Sequence, residues 1–595
     1  MPSKIAPGDA ELVRSVAKPI RYVGGEWNAV KKDLANVRVK FAFAYPDTYE
    51  VGMSHLGLQI LYHVLNQRDD TACERVFSPW PDMADLLRSR GDALHSLESR
   101  LPLSEFDIVG VTLQHELNYT NILSLLDLGG VPIRAADREA GGPLVIAGGP
   151  CAVNPEPLAY FFDAFVIGEG EEVVHEIIDA YVAWQDGGGS SRDELLARLA
   201  QIAGVYVPSL YEERTLEGGG IERRAAGAAK NGAAPERIVR RIVEDLDAAP
   251  FPTAPVVPFS EAVHDRGMLE IMRGCPRGCR FCQARAMYRP ARSRSLETLK
   301  EQTQALLANT GYEEIAPLAL NCSDYPHMAE LLEYLATVLG DRPLSVSLPS
   351  LRPSVASVEL ADRAYKGKRT GLTFAPEAGS ERLRRAINKP ATDEEILATA
   401  RAAFEAGWTR LKLYFMVGLP GESDDDVKGI AELAHAVERV GDEVLGSRRR
   451  GRLGVSLSVN FHIPKPHTPL QWSRQISAAE VAAKLDILKE NIRSRRIKLR
   501  WANPSQSLLE GTLSRGGREL CEVLQRAHAA GCSFDAWGEH LQYGAWESAF
   551  RECGMDLEEY ATAEWRVDAP LPWDHIDCGV TRESLLAARQ KAYEE

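Results

Sequence analysis

No run of about 18 consecutive apolar residues occurs in the 595-residue sequence, so no membrane-spanning helix is expected. Residues 1–9 lack the apolar core of a secretory signal. Cysteine is scarce: ten in 595 residues exclude a disulfide-stapled scaffold. Positive charge is in deficit, with 69 Lys and Arg against 84 Asp and Glu and a net charge of −15. That balance argues against non-specific clamping of duplex nucleic acid but leaves room for a local basic groove. An apolar content of 45% excludes wholesale disorder. The length exceeds what one core fills and suggests roughly three to four domains. These absences together predict a cytoplasmic protein with no membrane partner.

Three of the ten cysteines fall within eight residues, in Arg273-Gly274-Cys275-Pro276-Arg277-Gly278-Cys279-Arg280-Phe281-Cys282. Thiolates in a Cys-x3-Cys-x2-Cys loop can wrap one corner of a cubane cluster. An electron-transfer [4Fe–4S] cluster takes four cysteines, so three leave one iron open to a chelating ligand. Gly274 and Gly278 let the backbone turn close to a metal, and Pro276 stiffens the loop. Arg277 and Arg280 are expected to favour thiolates. The alternative for the same triad is zinc, with Cys322 or His264 as a remote fourth ligand.

Around this loop the chain divides into a leader (1–35), a first α/β unit (36–185), a joint (186–258), a second α/β unit (259–480) and a carboxyl-terminal region (481–595). In the first unit, strands are expected at 37–45, 107–113, 143–147 and 164–167, with helices at 56–65 and 121–128. That rhythm predicts a doubly wound parallel sheet, which binds ligands beyond the carboxyl ends of its strands. Polar and glycine clusters lie there, at 47–52, 112–116, 148–150 and 168–171. Within the joint, 217–235 is rich in Gly and Ala and reads as flexible. In the second unit, strands at 269–273, 314–320, 344–348, 371–374, 409–416 and 454–461 predict six βα repeats of a partial barrel. After residue 480, helices are expected at 479–494 and 519–529, with Trp537, Tyr543, Trp546 and Trp565 packing a small core.

The stretch from Glu270 to Cys282 resembles the signature loop of the radical SAM superfamily, down to the aromatic Phe281 before the last cysteine. The resemblance implies a [4Fe–4S] cluster on Cys275, Cys279 and Cys282, and S-adenosylmethionine (SAM) bound at the open iron. It further implies SAM contacts from Phe281, from Asn321, Ser323 and Asp324 after the second barrel strand, and from Glu377 and Ser380 in a segment similar to methylthiotransferase-like members. Gly418 and Gly421 resemble the turn that passes adenine. The superfamily's common Gly-Gly-Glu is missing after the second strand. For Glu377 the alternative is a helix-start carboxylate. His462, Lys465, His467 and Gln471 sit in a closing segment similar to that of cobalamin-domain radical enzymes and are expected to face substrate; His462 and His467 could equally be structural.

Residues 36–180 resemble the cobalamin-binding domain of one large radical SAM class. Its Asp-x-His-x-x-Gly signature appears here as Asp47-Thr48-Tyr49-Glu50-Val51-Gly52, with Tyr49 in place of the cobalt-ligating histidine; His55 falls outside the pattern. Thr112, Gln114, Gly148 and Gly149 resemble positions bordering the nucleotide tail. Two readings stay open: cobalamin bound without a protein axial ligand, or the fold without the cofactor. The expected fold class is therefore α/β: a flavodoxin-like, cobalamin-binding-type domain, a partial (βα)6 radical SAM barrel and a small, mainly helical carboxyl-terminal region. The expected function is cobalamin-assisted methyl or related group transfer. The alternatives are a cobalamin-free radical SAM enzyme modifying RNA or protein, and a non-catalytic iron–sulfur protein. Expected partners are a reductant such as flavodoxin or ferredoxin, an RNA or protein substrate, and a separate protein equivalent to the carboxyl-terminal domain fused to some relatives. Arg273, Arg277, Arg280, Arg285, Arg289, Arg292 and Arg294 are expected either to line an anionic substrate's path or to balance local acids.

Overall fold

The structure is a computed structural model that describes residues 7–215, 221–225, 234–339, 345–348, 352–364, 371–449 and 453–594. Most of the Gly/Ala-rich stretch 217–235 lies outside the described residues, as does the first residue of the strand expected at 344–348.

The first unit is a six-stranded sheet in the order β2-β1-β3-β4-β5-β6. Its strands are β1 (Val39–Tyr45), β2 (Thr71–Phe77), β3 (Ile108–Thr112), β4 (Leu144–Gly148), β5 (Ala164–Val166) and β6 (Val205–Tyr206). All pairs are parallel except β5 with β6. Both faces are covered, so the strands are buried almost throughout and their sequences run apolar without alternation. β2 was not anticipated, because Glu74 and Arg75 interrupt its apolar run. The fold satisfies both internally. Arg75, fully buried, bonds Glu26 at 2.8 Å and Glu98 at 2.7 Å, and Glu74 accepts from Ser96 Oγ at 2.5 Å.

The second unit holds the six expected strands: β7 (Gly267–Glu270), β8 (Glu314–Leu318), β9 (Ser345–Val346), β10 (Leu372–Glu377), β11 (Arg410–Val417) and β12 (Gly454–Phe461). A seventh, β13 (Ile497–Trp501), pairs in parallel with β12, so the sheet runs on past residue 480. Among the described residues the strands form two parallel arcs, β7-β8-β9 and β10-β11-β12-β13. In β11 and β12 alternate residues are buried against the helices, as the two-residue period of a strand requires.

The carboxyl-terminal region is mainly helical and packs on the first unit: Leu509, Leu513, Leu524 and Trp546 share one buried cluster with Ile122 and Phe161. Ile576–Asp577 pairs in parallel with Ile238–Val239 of the joint.

Candidate radical SAM site and adjoining cavity

The cysteine loop leaves the end of β7 and turns at Gly274 (φ +85°), where a Cβ would lie 2.2 Å from the Tyr288 carbonyl oxygen. Its shape is fixed from two sides. Arg280 N–H donates to Ile387 O at 2.9 Å, and Asn388 Nδ2 donates to Gly278 O at 2.8 Å. On the other side Arg277 Nε donates to Asp324 Oδ2 at 2.9 Å. Cys275, Cys279 and Cys282 are all free thiols at partly exposed positions. Burial pushes the Cys279 and Cys282 thiols up; the nearby Lys389 ammonium opposes this at Cys279, and the Ala284 and Arg285 amides oppose it at Cys282. A cationic iron core is the kind of partner that would hold such thiols ionised.

Neither candidate fourth ligand turns to this loop. Cys322 Sγ donates to Pro317 O at 3.4 Å, and His264 Nδ1 meets Arg266 Nη2 at 2.8 Å. The expected SAM contacts separate into two kinds. Asn321 donates through Nδ2 to Asp324 at 2.7 Å, while its Oδ1 is buried with no hydrogen-bond partner. An orphaned acceptor beside the cluster loop fits an ammonium-bearing ligand. Glu377 is held at φ +73°, an uncommon backbone for a residue with a side chain, and pairs with Lys389 at 2.6 Å. Phe281 packs with Ala378, Leu383 and Leu419, and Gly418 and Gly421 both have positive φ. Ser380 and Ser323 are already engaged. Ser380 Oγ caps Leu383 N–H and donates to Asp426, and Ser323 Oγ lies 2.9 Å from Ser357 Oγ.

A cavity of about 510 Å³ adjoins the loop. One wall is the first sheet, with Gly110, Thr112, Gln114, Gly148 and Gly149; a second is the helix Leu56–Asn66, through His55, Leu56 and Ile60; the third is the barrel, through Glu270, Arg273, Gly274 and Leu318–Leu320. The sheet wall depends on missing side chains. A Cβ on Gly110 would sit 2.5 Å from Phe41 Cζ, and one on Gly149 (φ +104°) 3.2 Å from Gln114 Nε2. Thr112, Gln114, Gly148 and Gly149 line this space; Asp47, Tyr49 and Gly52 do not. Tyr49 is buried, and its hydroxyl donates to Glu26 at 2.9 Å. Asp47 accepts from the Trp537 indole at 3.1 Å, and Gly52 backs onto the Phe77 ring.

Sequence reasoning passed over His55, which does line the cavity. Its Nδ1 accepts from Leu58 N–H at 3.1 Å as the helix N-cap, so the proton is on Nε2. Burial pushes its pKa down to about 4, which leaves the ring neutral.

The segment expected to face substrate instead docks on neighbouring regions. Lys465 Nζ lies 2.7 Å from Glu116 and 2.8 Å from Glu510. His467 Nε2 meets Val153 O at 3.0 Å, and Gln471 Oε1 accepts from the Trp573 indole at 2.9 Å. His462 is buried, with both ring nitrogens unpartnered. None of the four lines the cavity. His115, Glu116 and Glu510 are the one group of possible metal donors within 4.8 Å of one another among the described residues. The Lys465 ammonium already serves both carboxylates, so the group balances a lysine.

Most of the arginines around the cluster are likewise engaged. Arg273 pairs with Glu171 at 2.7 Å and Glu270 at 3.0 Å, Arg292 with Glu169 at 2.6 Å and Arg294 with Glu270 at 3.2 Å. Arg280 and Arg289 donate to backbone carbonyls. Their charges balance local acids and close turns. Among the described residues, no helix is long and apolar enough to cross a membrane.

Two family profiles match: "Radical SAM proteins, N-terminal" over residues 57–208 and "Radical SAM superfamily" over residues 269–434. The chain is 28% identical over 487 residues to an uncharacterised protein of Methanocaldococcus jannaschii, covering 81% of this chain and 90% of that one. It is 24% identical over 232 residues to the tRNA-2-methylthio-N(6)-dimethylallyladenosine synthase of Anaplasma phagocytophilum, covering 37% of this chain and 48% of that protein. In fold it is similar to TsrM, a radical S-adenosylmethionine methyltransferase from Kitasatospora setae whose structure holds cobalamin and a [4Fe–4S] cluster, with a TM-score of 0.50 at 15% identity over 82% of this chain and 99% of that one. With its three-cysteine loop at the mouth of a parallel barrel and a doubly wound domain set against it, this chain belongs to the radical SAM superfamily.

Proposed function

We propose that the chain reductively cleaves SAM at a [4Fe–4S] cluster on Cys275, Cys279 and Cys282, and carries a corrinoid in the adjoining cavity for methyl or related group transfer. The observation that carries this reading is the shared wall: Glu270 to Gly274 borders the cavity and runs directly into Cys275. Two cofactors placed there would meet at one substrate.

Cys275, Cys279 and Cys282 would hold the cluster, which would supply the electron for SAM cleavage. Cobalamin, when bound, supplies a methyl carrier. The protein's part is placement. Asn321 Oδ1 offers an acceptor to the SAM ammonium, and the Lys389–Glu377 pair sets the charge beside Cys279. Phe281, with Leu419 behind it, keeps water from one side of the loop. In the cavity, Gly148 and Gly149 allow close backbone approach, and the neutral His55 ring, bonded to Leu58 and Gln114, forms part of the wall.

The reductant is a flavodoxin or ferredoxin, and the setting is the cytoplasm, where free thiols such as these persist. The substrate is RNA or protein. The relatives named for methylthio transfer favour a second reading, cobalamin-free modification.

Anaerobic reconstitution tests both. About four irons per chain together with SAM cleavage supports the radical reading, and retained corrinoid absorbance selects the first form over the second. A cluster that forms but leaves SAM intact refutes enzymatic function.

A further inference from the structure

The inner face of the second barrel arc carries cations that no carboxylate among the described residues pairs with. In β11, Leu411, Leu413, Phe415 and Val417 pack outward on the helices. Alternation turns Arg410, Lys412, Tyr414 and Met416 to the opposite face. By the same rule β12 presents Ser456 and Ser458, and β13 presents Lys498 and Arg500. Register sets these side by side: Thr373, Lys412, Ser456 and Lys498 form one row across four strands, and Tyr414, Ser458 and Arg500 form the next. Thr373, Arg410, Lys498 and Arg500 are exposed.

Among the described residues no carboxylate pairs with Arg410, Lys412, Lys498 or Arg500. Lys412 Nζ donates to Tyr414 Oη at 2.9 Å and lies 4.5 Å over its ring. In a chain with 84 acids and 69 bases, four neighbouring cations without an acid are an unfavourable arrangement unless an anion joins them. The face also leads to the chemistry. Met416, one step beyond Tyr414, packs in the small apolar cluster that includes Phe281 of the cysteine loop.

We propose that this face binds the phosphate backbone of a single-stranded nucleic acid and guides one nucleotide to the cluster loop. The inference rests on the radical SAM reading above for what then happens to that nucleotide. Guanidinium and ammonium groups interleaved with hydroxyls match a phosphodiester backbone, and the face of the Tyr414 ring opposite the Lys412 ammonium gives a base a surface to stack on. An acidic peptide would use the charges but not the ring. The paired arginines around the cluster, by contrast, are unavailable to an incoming anion.

The test is fluorescence anisotropy of a labelled single-stranded RNA of mixed sequence, about a dozen nucleotides long, with the reconstituted full-length protein across a salt series. The proposal expects binding that weakens as salt rises. It expects the double variant Lys498→Ser/Arg500→Ser to bind about tenfold more weakly, with a salt slope shallower by about 1.4, since each contact to a single strand contributes roughly 0.7. The charge-preserving Lys498→Arg/Arg500→Lys should recover most of the binding. A Tyr414→Leu variant should weaken binding without changing the salt slope. The idea is overturned if wild-type protein does not bind, if the serine variant binds like wild type, or if polyglutamate competes as well as RNA does. SAM cleavage by the wild-type protein without RNA is measured in parallel, so a failure of the radical reading is seen separately from a failure of this surface.

Discussion

Cys279 and His55 carry the sharpest consequences of the site. Replacing Cys279 by Ala leaves two thiolates and no spare donor on the loop, so iron should fall from about four per chain to well under one, and SAM cleavage should vanish. Iron analysis and chromatographic assay of SAM products check this; a variant that cleaves SAM at the wild-type rate contradicts the assignment. In the cavity, His55→Ala should lower corrinoid retention about fivefold, as expected when a lining ring and its hydrogen bond to Gln114 are lost. Tyr49→Phe should leave retention unchanged and cost about 1 kcal/mol of stability, because that hydroxyl serves Glu26. Corrinoid absorbance after desalting separates the two. The three cysteines were legible because their spacing is itself the chemistry. His55 was not, because the signature places the histidine six positions earlier, at Tyr49, and only the helix cap that holds the His55 ring turns it toward the cavity.

The strands of both sheets show where sequence reading succeeds and where it stops. Apolar runs such as Val39–Tyr45 and alternating ones such as Gly454–Phe461 announce their strands directly. Thr71–Phe77 hides because Glu74 and Arg75 break the apolar pattern, and nothing local reveals Glu26 and Glu98 as partners. Ile497–Trp501 hides because Lys498 and Arg500 face the open interior of the arc. In β2, Arg75→Met would strand the buried carboxylates of Glu26 and Glu98 and should destabilise the first domain by about 3–5 kcal/mol. Urea unfolding read by tryptophan fluorescence measures this; a loss under 1 kcal/mol, below that range, would mean the two acids find other partners.

Across the whole molecule, Lys465, Glu116, His115 and Glu510 tie the barrel's closing segment to both flanking regions. Burial lowers the His115 pKa, but Glu510 outweighs burial and holds it above 6.5. Burial raises Glu510, but Lys465 and His115 hold it well below 4.5. The His115 contribution is therefore fully present below pH 6.5 and lost as pH rises through the folded-state value, whereas the Glu510 contribution is present above 4.5 and lost only in strong acid. The stability difference between wild type and His115→Gln should be largest near about pH 5 and shrink toward about pH 9. Thermal unfolding at both values reads it, and a difference that grows with pH would reverse the assignment. The Asp47–Trp537 bond joins residues 490 positions apart, and Phe534 N–H donates to Asn121 across 413. At roughly 5–20 residues per second, the ribosome delivers Trp537 about half a minute to a minute and a half after Asp47. Through that interval the nascent first domain shows a bare surface that its own tail will later cover. Until synthesis reaches the closing helices, that patch is open to association with other chains, the hazard of any surface completed late.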